Sequence, residues 1–178
     1  MSLARLRALV VVGVLVLSAV ILVIVAIVKD SSGTTVAENC PAGKVAVDLT
    51  LPEDFSTVKV AVYNATTSGA LAGQVAEEFR SRKVTVVDVK NLNPTSKPVD
   101  GVAVLRYGPK TVGSAWLVRA FFLNRAELQF DPKRADDVID VIVGKQYLQL
   151  GSITEVRQAL GAVGGPRLPE GACDANAG

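Results

Sequence analysis

Ala8–Val28 is an uninterrupted apolar run bounded by Arg7 and Lys29, with Ser18 as its only polar side chain. A hydrocarbon layer roughly 30 Å thick is crossed by about 20 apolar residues at the helical rise. Inside lipid every backbone N–H and C=O needs a partner, and a helix supplies those partners within its own segment. The run therefore predicts a transmembrane helix over 8–28, preceded by a short tail at 1–7. A secretory signal is the rival reading, but its apolar region usually runs about 7–15 residues and ends at a small-x-small cleavage site. Here the run is longer and stops at Lys29-Asp30, while the cleavable Thr35-Val36-Ala37 lies well beyond it. Arg5 and Arg7 keep the tail cytoplasmic. The expected product is a single-pass cell-membrane protein with its domain extracytoplasmic.

That topology limits the chemistry open to the rest of the chain. A polar, small-residue-rich stalk (29–43) leads into a domain at 44–168 and a tail at 169–178. Formal net charge is +2 and the cations are scattered, so the electrostatic footprint of a nucleic-acid binder is missing. Cys40 and Cys173 flank the domain. Export favours a disulfide, and two cysteines allow one intramolecular pairing. Free thiols or an intermolecular bridge are the alternatives.

Within the domain, Lys44–Leu51 alternates as a short strand ended by Pro52, and Val58–Tyr63 alternates more strongly. Leu71, Val75 and Phe79 recur every fourth residue, which predicts a helix over 70–82 with Ser68 as its N-cap. Strands are expected at 85–89 and 102–107, a helix over 109–124, and strands at 126–130 and 138–143. Ser152 and Glu155 form a capping box that opens a last helix along Ile153, Val156, Leu160 and Val163. The tail after Leu168 is expected to be loose except where Cys173 pins it. The order β-α-β-β-α-β-β predicts an α+β two-layer sandwich, one sheet with helices mainly on one face, plus the C-terminal helix.

Absent residues narrow the function most. The chain contains no histidine, which excludes a Ser-His-Asp triad and removes the usual zinc sites. No cofactor is implied, since Gly69–Gly73 is too brief for a dinucleotide loop. Asp136, Asp137 and Asp140 read as a solvated edge rather than a metal cluster, and no carboxylate pair stands out for hydrolysis. Asn64-Ala65-Thr66 fits a glycosylation sequon, although turn chemistry at a strand end explains it as well. Candidate binding residues are Asn64, Thr66, Thr67 and Ser68, expected to stand exposed at a strand-to-helix edge. Arg106-Tyr107 and Lys145 with Tyr147 join them, because each sets a cation near an aromatic.

The stretch VKVAVYNATTSGALAGQVAEEFRSRKVTVVDVKN resembles the opening of the LytR C-terminal domain, in which a strand ending in Asn leads into a Gly-Leu-Ala helix. VAVLRYGP resembles the mid-domain strand of that family, and VIDVIVGKQY its closing strand. Ala65 and Ala70 depart from the pattern. The resemblance implies a stand-alone actinobacterial type, an anchor followed directly by this module. The catalytic LytR–CpsA–Psr domain of larger relatives is expected to be absent. Its implied role is non-enzymatic: envelope integrity through binding of LytR–CpsA–Psr-type enzymes or wall glycan. A carrier of a lipid or polyprenyl-linked precursor is the alternative, and a carboxylate hydrolase a third.

Overall fold

Period-two alternation makes Val58–Tyr63 and Val138–Val143 strands, and the computed structural model, which describes residues 40–92 and 98–176, sets them side by side. The anchor predicted over 8–28 lies outside the described residues. Among those described, no helix is long and apolar enough to cross a membrane.

Seven strands and three α-helices succeed one another in the described residues. The main sheet is built from β2 (Lys59–Asn64), β3 (Thr85–Asn91), β4 (Ala103–Tyr107), β5 (Glu127–Phe130) and β6 (Val138–Val143). Their lateral order is β3-β2-β6-β4-β5. β2 runs parallel to both β3 and β6, whereas β4 is antiparallel to β6 and parallel to β5. Helix α1 (Leu71–Ser81) joins β2 to β3, and α2 (Val112–Phe121) joins β4 to β5. The two parallel crossovers run in opposite strand directions and step to opposite sides. With right-handed connections, both helices then fall on one face of the sheet.

Ring contacts confirm that placement. Phe79 of α1 meets Phe121 of α2 edge-on at 5.9 Å and Phe122 at 6.1 Å. The layer between is filled by Phe79, Phe121, Leu105, Leu117 and Ile139 together with Val60, Val62 and Val75. Helix α3 (Ile153–Val163) packs on α2, opens on the expected Ser152–Glu155 capping box, and buries Val156.

Several boundaries differ from expectation, each for a local reason. The N-cap of α1 is Ala70, without a side-chain cap bond; Ser68 lies two residues before it, in the turn, where its carbonyl accepts from Leu71 N–H and from the Asn64 amide. The helix expected over 109–124 begins as a 3-10 turn at Pro109–Thr111 and stops at Phe121. Leu123 (φ 52°) and Asn124 (φ 61°) then turn left-handed, and the Asn124 amide is held on the Ala159 carbonyl at 2.8 Å.

The strand expected over 44–51 is only Val45–Val47 (β1), and it stands outside the main sheet. The Asp48 carboxylate accepts the Thr50 N–H at 2.8 Å and turns the chain away. β1 pairs in parallel with Ala172–Asp174 (β7), so the tail is ordered by a ladder as well as by a cysteine. Cys40 and Cys173 are disulfide-bonded, with Cα atoms 5.8 Å apart.

Candidate functional site

Asn64 ends β2 on the helix-facing side and is 2% exposed, which corrects the expectation that it stands open. Its amide nitrogen donates to the Ser68 carbonyl and to Asn91 Oδ1 (3.2 Å). Its Oδ1 accepts from Thr66 N–H (2.9 Å) and the Thr66 hydroxyl (2.7 Å). The Thr66 hydroxyl in turn accepts from Ser68 N–H at 3.2 Å. Every polar atom of the Asn64 side chain is engaged, so the turn reading accounts for this motif and its amide is not presented for glycosylation. Thr67 and Ser68 remain exposed.

The two cation–aromatic pairs also come apart. Neighbouring strand residues point to opposite faces. Tyr107 is therefore buried on the helix side against Phe130, ring centroids 5.7 Å apart, and burial pushes its phenol above the ordinary range. Arg106 faces outward and is exposed. Tyr147 is buried, stacks edge-on against Phe122 at 6.0 Å, and donates its hydroxyl to Glu78 Oε1 at 2.8 Å. Lys145 is exposed and bridges to Asp100 at 2.7 Å. Arg106 lies near the end of the sheet opposite Asn64 and Lys145, so the candidates do not form one site.

A different constellation emerges on the face without helices. Strand register aligns Asp88, Ala61, Asp140, Arg106 and Gln129 as one lateral row across all five strands. Arg134, on the loop between β5 and β6, folds back onto this row. Its Nη1 and Nη2 donate to the two Asp140 oxygens at 2.7 and 2.9 Å, and its Nε donates to Asp136 at 2.8 Å. The fork-to-fork Asp140 contact, then Asp136, raises the Arg134 guanidinium further above its already high range. The loop lies so close that a Cβ on Gly108 would meet the Arg134 carbonyl oxygen at 2.7 Å.

Beside the clamp, Arg106 Nε donates to Gln129 Oε1 (3.1 Å) and Gln129 Nε2 to Glu127 Oε1 (2.9 Å). Lys59 pairs with Asp137 at 2.7 Å, and its hydrogen bond holds that carboxyl below the ordinary range. Arg106, Gln129, Phe130, Asp131, Arg134 and Asp140 line a cleft of about 440 Å³. It is a surface of planar hydrogen-bonding groups whose charges largely cancel one another. Asp136 and Asp137 are the solvated edge anticipated for them, but Asp140 is half-buried and clamped. Among the described residues, no three acidic or cysteine side chains are grouped to hold a metal. Sequence pattern missed Arg134, Gln129 and Asp140 as a group because only sheet register brings them together.

A family model described as LytR cell envelope-related transcriptional attenuator matches residues 57–147, just over half of the 178-residue chain. No curated protein matches the sequence. The crystal structure of the soluble domain of a conserved hypothetical secreted protein from Mycobacterium marinum superposes with a TM-score of 0.50. It is 23% identical, over 70% of this chain and 82% of that one, and the likeness speaks to the fold.

Proposed function

Since the chain belongs to the LytR C-terminal domain family, we propose that it is a membrane-anchored, non-enzymatic envelope protein whose extracytoplasmic domain binds wall glycan. The observation that carries this reading is the helix-free sheet face. Arg106, Gln129 and the clamped Arg134–Asp140 pair offer forked donors and acceptors with their charges mutually offset. A polyhydroxylated ligand suits such a surface, because each hydroxyl both donates and accepts. A strongly charged ligand would find no matching field there.

The carrier alternative loses support from the filled layer between sheet and helices, where Phe79, Phe121 and Leu105 leave the core closed. A carboxylate hydrolase needs two acids free to act. Asp140 has both oxygens on Arg134, and Asp131 Oδ1 accepts the Lys133 N–H at 2.9 Å. Binding of a LytR–CpsA–Psr-type enzyme at the same face is the second reading, favoured by the family premise.

Calorimetric titration of the full chain in detergent with solubilised wall glycan tests the first reading. Saturable heat that Arg106→Ala and Gln129→Ala weaken is the expected result. If there is no heat, and in-cell cross-linking captures no envelope enzyme, both readings fall. Carbonate extraction of membranes tests the anchor separately.

A further inference from the structure

The first and last described segments pair with each other at the border of the domain. β1 and β7 bond to each other in a three-residue parallel ladder and to neither edge of the five-stranded sheet. Val45 N–H donates to Gly171 and Ala175 N–H to Val47, so the tail is knitted to β1. The Asn176 amide adds bonds to Asp48 and Thr50 at 3.3 Å. The backbone bonds from this clasp to the rest of the domain meet at one place. Asp48 N–H donates to Pro109 and Gly113 N–H to Asp48, each at 3.1 Å. Val47 and Ala172 are its buried side chains, and both reach into the core of the domain, with Leu49 and Leu51 packed beside them, so undocking exposes this patch. Both strands lie outside residues 57–147, the span that the family model matches. A two-stranded ribbon of this size is marginal by itself. What closes it is the Cys40–Cys173 disulfide, across a sequence separation of 133.

We propose that this disulfide is a reducible clasp that sets the tether length of the domain, with β1 and β7 undocking while the sheet and its helices stay folded. A dithiol reductant supplies two electrons and two protons to the sulfurs of Cys40 and Cys173 and closes to its own disulfide. Undocking then transfers residues 40–54, fifteen in all, from the domain to the tether. Fully extended, they add at most about 50 Å of reach. The consequence for reach rests on the anchored reading, but the clasp itself does not. Both cysteines are partly accessible rather than sealed in the core, as a reducible bond requires.

Hydrogen exchange of the full chain in detergent, before and after a dithiol with alkylation of the released thiols, reads the clasp directly. The Cys40→Ser/Cys173→Ser variant provides the same state without reagent. Amides of residues 44–51 and 171–176 should exchange at least about tenfold faster, with β2 and β6 still protected. Unchanged protection at 44–51 would overturn the proposal, because the ribbon would then hold without its bond. Loss of protection throughout β2 and β6 would overturn it equally, because no separate unit would exist. Failure of carbonate extraction would remove the anchor and leave this result standing.

Discussion

Gly113 sits in the first turn of α2, where the segment leaving β1 crosses over it. A Cβ built there falls inside contact distance of the Thr50 carbonyl oxygen, 2.6 Å from the Thr50 carbonyl carbon and 3.1 Å from that of Leu49. Those are backbone atoms, so no side-chain rotation relieves the overlap, and the segment must lift away. Gly113→Ala would then lose the Asp48–Gly113 hydrogen bond, about 1 kcal/mol net. Exposing Val47, which is 1% exposed, costs a further ~2 kcal/mol. Against this, alanine is favoured over glycine within a helix by about 0.5–1 kcal/mol. The balance is a loss of about 2 kcal/mol, or roughly 6 °C in melting temperature for a domain of this size. Guanidinium unfolding followed by the fluorescence of Trp116, the single tryptophan, reads it, since that ring lies one turn along the same helix. Gly73→Ala is the internal control, because Gly73 lies in α1 and a Cβ there would meet nothing within 4 Å. That change should stabilise by about 0.5–1 kcal/mol. If Gly113→Ala is as stable as the parent, or gains as Gly73→Ala does, the close-approach reasoning is wrong.

Other consequences rest on single side-chain contacts. Arg134→Ala leaves the half-buried Asp140 without its forked partner and should cost about 1–3 kcal/mol in urea unfolding. Arg134→Lys should recover only part of that, because an ammonium cannot hold both carboxylate oxygens in one plane. Burial, and then the Glu78 hydrogen bond, raise Tyr147 above its ordinary value of 10.0. The folded chain keeps this proton where the unfolded chain gives it up. The stabilisation is therefore intact below about pH 10 and falls away as pH rises beyond it. Tyr147→Phe should cost about 1 kcal/mol at neutral pH and flatten that alkaline loss, as pH-dependent denaturation will show. Ser152→Ala removes the side-chain acceptor for Glu155 N–H and should weaken α3 by about 1 kcal/mol, measurable as faster amide exchange over 153–156.

Much of the fold was legible because periodicity is a local property. Val58–Tyr63 and Val138–Val143 announce strands, Leu71, Val75 and Phe79 announce α1, and the Ser152–Glu155 spacing announces α3. Lateral order is not local. Nothing in the alternation of β6 says that it inserts between β2 and β4, and that insertion brings Asp140 opposite both Ala61 and Arg106. The pairing of β1 with β7 is hidden for the same reason, since each is three residues long and the partners lie at opposite ends of the domain. The separation of Arg106 from Tyr107 was legible in principle. Strand alternation alone sends adjacent side chains to opposite faces.

The motif that carries the family resemblance is thus largely consumed inside the fold. Asn64 ties the end of β2 to the turn before α1 and to the end of β3. Tyr107 fills the core, and Tyr147 fastens the segment after β6 to Glu78 on α1. Those duties concern the architecture and leave the choice of ligand open. Family membership therefore speaks for the scaffold, and ligand choice must be sought in groups that no motif marks. If the domain binds glycan as proposed, the helix-free face supplies them: Arg106 and Gln129 come from adjacent strands, and Arg134 from a loop beyond both. Exchanging Arg106 and Gln129 for alanine should leave melting nearly unchanged while altering binding, whereas substitution of Asn64 should do the reverse. That opposition separates the role of the scaffold from the role of the face.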